Sequence, residues 1–581
     1  MAEGSVLVQT CHDPEEQRKL QKPTAKQIYH YKGLQERGWF RLLVVEPSPN
    51  PQYRISCSLL HRLIKESPDF EALSYTWGTD KAIAPILIDG GVLFVRSNLF
   101  RALRSLRFPT KRRILWIDAL CINQTDNIER NSQVSQMADI YSGAKKVIVW
   151  LGEGNEHTDR GMNSLGEICP RAKSIKDRVF KEGGDHQQMY KEWNDLFRSF
   201  QARHDSDACF AGICALFCRD WWTRVWTVQE ITLAREAQVQ AGKKSLPWEY
   251  FEIFSNLFTL DVVSQSQDEW SEGHRNFRFY AMPLFIRADT IRVMRMKWWG
   301  NIEIPLSLMV EHTLARSATD PRDKIYAILG LINCGPRLSP DYSLSCKKVY
   351  IAAFRAMLEY FGDLRVYNHL QDSHLDREKE LPSWVPDFMA LTTGTIHSMT
   401  FINGASPNDP IESQAVSPLY SAASNTGSYI TGGSFKEAFW RTITLDCKVV
   451  EYHQGLTLRD NPRDRRRRLD RADKLVPPQS LESEEKLIEA LDRQAALAEG
   501  AQYSRRFFTT EKGYMGIGPS VAQTRDIICV LFGGEVPFVL RPVGNGRYKM
   551  VGQCYMHGIM DGEVIRGAIR GQFRYEDFVI D

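Results

Sequence analysis

The sequence predicts an α/β domain with a largely parallel sheet over residues 51–245, a mainly helical region over 246–390, and a β-rich module over 391–581. Three observations carry this reading. Short apolar runs alternate with helical patterns from about residue 70 to 240, which is the signature of strands joined by crossover helices. Two of those runs, RILWI (113–117) and KVIVWL (146–151), are continuous rather than alternating, as in strands covered on both faces. After LPSWVPDF (381–388) the chain turns to short runs rich in Gly, Thr, Val and Tyr, such as IICVLFGGEVPFVLRP, which suit β-hairpins.

Residues 1–50 are polar and mixed and read as an adaptor segment with a short strand around 41–45. EALSYTW (71–77), closed by Gly78, is the first strand of the domain; PILID (85–89), with its Gly-Gly turn, is the second. Ser97 is placed to cap a helix whose Leu99, Leu103 and Leu106 share a face. RILWI is the third strand, and the helix after it carries Val134, Met137, Ala138 and Tyr141 at helical spacing. KVIVWL is the fourth strand, a helix spans about 222–234, and AQVQAG (237–242) is the fifth. Right-handed crossovers leave few topologies, and the flavodoxin-like order, with the first strand between the second and third, is the expectation. Further on, ATDPRDKIYAILGL (318–331) reads as a loop-to-helix unit with Asp320 as cap and Pro321 in the first turn. A charged insertion near 461–502 interrupts the C-terminal module.

Composition narrows the function classes. The 74 basic and 71 acidic residues leave a net charge of +3, so nucleic-acid binding by overall charge is not expected. The N-terminal residues lack a signal peptide's apolar core, and no apolar run reaches the roughly 18 residues of a bilayer span. The 12 cysteines contain no C-x-x-C pair, and His204, Cys209, Cys214 and Cys218 lack zinc-module spacing, so no metal is expected. A cytoplasmic location follows, with a nuclear one allowed by the arginine run 465–468, which reads more readily as a solvated loop. Gly152-Glu153-Gly154 and GYMGIG (513–518) are turn-like, and no Walker-type phosphate loop is present.

In an open parallel sheet, ligands bind beyond the carboxyl ends of the strands. Here those segments are TWGTD (76–80) and ALCINQTDNIER (119–130). Ser74, Thr76, Trp77, Gly78, Asp118, Cys121, Asn123, Gln124, Asp126 and Arg130 are therefore candidate ligand-binding residues, with Arg224 and Trp226 from the later helix. The plainer alternative is that Asp126 or Asn127 caps a helix, Asn123 and Gln124 tie down a loop, and Trp77, Trp222 and Trp226 are core.

The blocks FEALSYTWG, ILWIDALCINQTDNIERNSQVSQMADIYSGAKKVIVWLG, WTRVWTVQEITLA, DPRDKIYAILGL and LPSWVPDF resemble, in this order, fungal heterokaryon-incompatibility (HET) domain proteins. The first three resemble the HET domain itself, over about 70–235. HET domains are similar in turn to TIR domains. On that overlay ALSYTWGTD matches the first TIR strand, and ILIDGG with SNLFRAL the second strand and helix. RILWIDALCINQTDNIER matches the third strand, leading into the helix that carries the catalytic glutamate of NAD-cleaving TIR domains. The resemblance therefore implies Glu129 as the catalytic carboxylate, with Glu230 in WTRVWTVQE as its rival one crossover later. It implies a cell-death effector with NAD as candidate substrate and no permanent cofactor. Self-association and contact with other incompatibility or signalling proteins are expected as well. The alternative is a non-catalytic module that oligomerises and recruits partners.

Overall fold

The computed structural model describes residues 27–264, 272–369, 381–389, 428–432, 438 and 505–581, apart from single positions at 37, 363, 520, 535 and 561. The first half of the adaptor segment, the arginine run and the charged insertion lie outside the described residues.

A nine-stranded sheet organises the first half of the chain. Its strands are β1 (Trp39–Val45), β2 (Ser56–Leu63), β3 (Glu71–Tyr75), β4 (Ala84–Ile88), β5 (Gly91–Val95), β6 (Arg113–Trp116), β7 (Lys146–Trp150), β8 (Ala237–Ala241) and β9 (Lys244–Pro247). They run in the order β5-β4-β2-β1-β6-β3-β7-β8-β9. Only β6-β3-β7-β8, and the short β2–β4 register, pair in parallel; the hairpins at both ends are antiparallel.

This is a mixed α/β fold, but the flavodoxin-like order does not appear in it. EALSY (β3) lies between RILW and KVIVW, whereas PILID (β4) sits three strands beyond β6. The cause is local: the Gly-Gly turn, with Asp89 and Gly90 both at positive φ, folds PILID back on GVLFV as a hairpin. A hairpin satisfies its ladder antiparallel, and β4 offers its other edge to β2. The place beside β6 is taken by β1, a run buried along almost its whole length, which precedes the boundary expected at residue 51.

Helix α1 (Ser97–Leu106) follows β5 and buries Leu99, Leu103 and Leu106 as its pattern predicts. Ser97 is its first residue rather than its cap; the Ser97 N–H donates to Asp80 Oδ2 at 2.9 Å. After β6 come the single turn α2 (Asp118–Cys121), α3 (Asn127–Ser135) and α4 (Met137–Gly143). The spacing predicts one helix over the last two. They are separated at Gln136, whose side chain accepts from Gly38 N and donates to Ser132 O.

Long helices cover the β7–β9 end: α5 (Glu156–Lys181), α6 (His186–Gln201), α7 (Ser206–Phe217) and, after a 3-10 turn at Asp220–Thr223, α8 (Trp226–Thr232). Helices α9 (Trp248–Ser264) and α10 (Glu272–Trp299) continue the layer. Their shared core is aromatic: Phe217 stacks on Trp222 at 4.7 Å, and Trp221, Trp248, Phe251, Phe254 and Phe285 close around them. Rings of this size bury about 150–250 Å² each, so this cluster dominates the packing energy of the helical layer.

The region after it holds α11 (Leu306–Thr313), the short α12 (Asp323–Tyr326) and α13 (Cys346–Phe361). Asp320 does not cap a long helix: it accepts from the Arg322 backbone and clamps the Arg322 guanidinium. The C-terminal strands β10–β16 (505–580) form one sheet of three strands and one of four, with α14 (Glu563–Ile569) between the last two. Phe538, Leu540 and Met550 join the main core, and Tyr367 packs edge-on against Phe538. Among the described residues no helix is long and apolar enough to cross a membrane.

Candidate functional site at the carboxyl edge of the sheet

Strands β3 and β6 are parallel neighbours, so the segments leaving their carboxyl ends meet. Trp77 Nε1 donates to Asp118 Oδ2 at 2.8 Å, and the other Asp118 oxygen accepts from Ala119 N. Asn98, on α1, holds the loop after β3. Its amide donates to Thr76 O at 2.6 Å and Thr76 Oγ1 at 3.1 Å, and its carbonyl accepts from Trp150 Nε1. Arg96 donates to Gly78 O and lies over the Trp77 ring. Gly78 has φ +78°, and a Cβ there would meet Asp80 Oδ1 at 2.8 Å, so this tight turn requires glycine.

Arg224, just before α8, donates to Tyr75 O and brings positive charge between Asp118 and Asp323. Trp226 Nε1 donates to Asp323 Oδ2 at 3.0 Å, and Tyr342 Oη donates to Asp323 Oδ1 at 2.6 Å. Burial raises the pKa of both carboxyl groups; Arg224 opposes it at each, with hydrogen bonds from Trp77 to Asp118 and from Tyr342 and Trp226 to Asp323. A half-buried, mixed-charge edge lined by indoles results, partly built by the segment after the sheet.

Glu230 lies directly beneath this edge. It is only 2% exposed, and Ser74 Oγ donates to its Oε2. Ser74 in turn accepts from Trp221 Nε1 at 2.8 Å, and the buried Tyr141 donates to Leu73 O at 3.3 Å. Burial pushes the Glu230 pKa up to about 7, against the pull of Arg224 and the Ser74 hydrogen bond, with Asp118 adding repulsion.

Glu129 occupies a different place, on the β1 side of β6. Arg41, fully buried on β1, forks onto it with Nη1–Oε1 at 2.6 Å and Nη2–Oε2 at 2.9 Å. Asn123 N also donates to Oε1 at 2.7 Å. Asp126 caps α3 by accepting from Ile128 N and Glu129 N, and Gln124 ties back to Asp118 O. Cys121 is buried, its thiol pushed up to about 12 by desolvation, and its carbonyl accepts from Arg41. The polar density of ALCINQTDNIER is thus largely spent on holding its own turn.

With this geometry in place, comparison with known proteins assigns the region. Residues 70–230 match the heterokaryon incompatibility protein (HET) family. Over that stretch the chain carries a HET domain. Residues 448–575 match a second family, the Het-6 beta-barrel domain, partly outside the described residues. Over 92% of its length the chain is 24% identical to heterokaryon incompatibility protein 6, OR allele, of Neurospora crassa, covering 95% of that protein. No solved structure matches the chain.

The edge of the HET domain therefore gathers Ser74, Thr76, Trp77, Gly78, Asp118, Gln124, Arg224, Trp226 and Glu230, while Cys121, Asn123, Asp126 and Glu129 lie around Arg41. Arg130 turns to a third neighbour, the ring of Tyr342, 3.9 Å from its guanidinium carbon. Reading the sequence alone passes over Arg41, Asn98, Tyr141, Asp323 and Tyr342 as site residues. Only Asn98 carries a local signal, a polar residue in the first turn of a helix that follows the candidate loop.

Proposed function

We propose that this chain is an effector of heterokaryon incompatibility that triggers cell death on non-self recognition. In this reading its HET domain hydrolyses the nicotinamide–ribose bond of NAD, with Glu230 as the carboxylate. Similarity to the Neurospora incompatibility protein supports the first part. The position of Glu230 carries the second: a buried carboxyl with a raised pKa lies under the carboxyl ends of two parallel strands, beside Arg224 and the half-buried Trp77. Glu129, spent on Arg41, is the weaker choice.

The chemistry suits such a group. The bond breaks with its electron pair passing to nicotinamide, which loses its positive charge and needs no proton. Water captures the ribosyl cation and gives up a proton, yielding ADP-ribose. A carboxylate near the ribose stabilises the cation and accepts that proton, and a pKa near 7 suits this task at neutral pH. Trp77 offers a ring face to the base, and Arg224 offers charge to a phosphate.

At 2% exposure Glu230 is closed off, so turnover requires the edge to open. Self-association, expected of a TIR-like site, supplies that event, and loss of NAD in the cytoplasm then kills the cell. The test is NAD consumption by the purified full-length chain at high concentration: wild type consumes it and Glu230→Gln does not. An inert wild type, or a fully active Glu230→Gln, ends the enzyme reading. The enclosure of both glutamates favours one alternative, a non-catalytic module that recruits death-signalling partners. Killing that survives Glu230→Gln in cells would select it.

A further inference from the structure

Among the described residues Arg130 has no carboxylate within ion-pair distance; it acts on Asp320 only at longer range, and that carboxylate is clamped by Arg322. The Arg130 Nε is buried without a hydrogen bond. It lies face-on to Tyr342, 3.9 Å from the ring centre. Arg322 approaches the same ring at 5.1 Å, but its charge is matched by Asp320. Arg316 is buried without a carboxylate too, yet its donors are taken by the carbonyls of Trp222 and Arg287. Arg130 alone in this neighbourhood keeps a planar donor fork, oriented by an aromatic face and half open to solvent.

Its setting points to a ligand. Tyr342, on which it stacks, donates to Asp323, and Asp323 accepts from Trp226 beside Arg224. Asn131, the next residue on α3, fixes the Tyr342 backbone by accepting from its N–H at 3.0 Å. The path from Arg130 to Arg224 is thus built jointly by the HET domain and the segment around 320–342. A guanidinium held flat by an aromatic face, with a second guanidinium on the same edge, is a donor set of the kind that recognises the diphosphate of a nucleotide.

We infer that Arg130, oriented by Tyr342, binds the diphosphate of a dinucleotide, so that residues beyond the HET domain complete its ligand site. This rests on the nucleotide reading above and extends it to residues outside the matched family region. The full-length chain is titrated by calorimetry with inorganic pyrophosphate and with ADP-ribose, neither of which depends on turnover. Wild type binds both. Arg130→Gln weakens both on the order of ten- to a hundred-fold, the value of losing a charged bidentate contact. Tyr342→Leu weakens them in the same direction, with thermal melting used to confirm that each variant is folded.

Arg112→Gln, which removes an exposed arginine paired with Glu46, leaves binding unchanged. Equal binding by Arg130→Gln and wild type overturns the inference, as does an equal loss in Arg112→Gln or no binding by wild type. Should NAD cleavage persist in Arg130→Gln with unaltered KM, the subsite is wrong while the catalytic reading stands. Should Glu230→Gln leave cleavage intact while Arg130→Gln loses pyrophosphate, the reverse holds.

Discussion

Arg41 and Glu129, 88 residues apart, form a buried bidentate ion pair that joins the strand before the HET match to the helix after β6. Arg41 also donates to Cys121 O and Lys32 O and lies over the Tyr31 ring, so every face of the guanidinium is matched. The carboxylate that the family resemblance implies as catalytic thus ties β1 to α3.

Breaking that pair from one side leaves an uncompensated buried charge. Glu129→Gln is expected to lower unfolding free energy by about 3–5 kcal/mol, read by urea denaturation. Arg41→Met combined with Glu129→Leu costs less than the single change, because no orphan charge remains. A Glu129→Gln protein as stable as wild type would refute the account.

Glu230 predicts a pH dependence of opposite sense to that of most carboxylates. Its folded pKa, about 7, exceeds the 4.5 of an ordinary glutamate, so the folded state holds the proton more tightly. The stability it contributes is complete below the unfolded pKa and is lost as pH rises through about 7. Relative to Glu230→Gln, wild type should lose on the order of 3 kcal/mol between about pH 4 and about pH 8. Parallel stability–pH curves for the two proteins would show that Glu230 does not titrate in this way.

How much of this can be read from the chain depends on distance. The strands RILW and KVIVW are legible because continuous apolar runs report burial on both faces locally. The placement of PILID is not, since a hairpin and a crossover strand share the same apolar pattern until a partner is chosen. TWGTD and Asp118 meet as the rule for parallel strands implies, because neighbouring strands deliver their carboxyl ends to one edge. Glu129 and Glu230 are both visible as candidates. What separates them, Arg41 and Ser74, lies 88 and 156 residues away and leaves no periodic trace.

Asn98 makes a prediction about the loop rather than the chemistry. It satisfies Thr76 and the indole of Trp150 at once. Asn98→Ala leaves those groups unpaired, at a cost of about 1–3 kcal/mol. Amide exchange at residues 76–78 should accelerate while the β7 core stays protected. Unchanged exchange there would mean that Asn98 does not hold the loop.

Two glycines in the helical layer should respond to alanine with opposite signs. Helices α5 and α7 cross where Gly161 faces Gly212, and a Cβ on Gly212 would fall 2.7 Å from Gly161 N and 2.7 Å from His157 O. Both are backbone atoms, so relief requires the helices to separate. Gly212→Ala should destabilise by about 1–3 kcal/mol or more, the usual cost of overpacking. At Gly166, also on α5, an added Cβ would meet only Leu246 Cδ2, at 3.6 Å, an ordinary contact. There the gain in helix propensity prevails, and Gly166→Ala should stabilise by roughly 0.5–1 kcal/mol. Thermal melts of the two variants side by side decide the matter: a shared sign would mean that close backbone approach does not set the spacing of this helix pair.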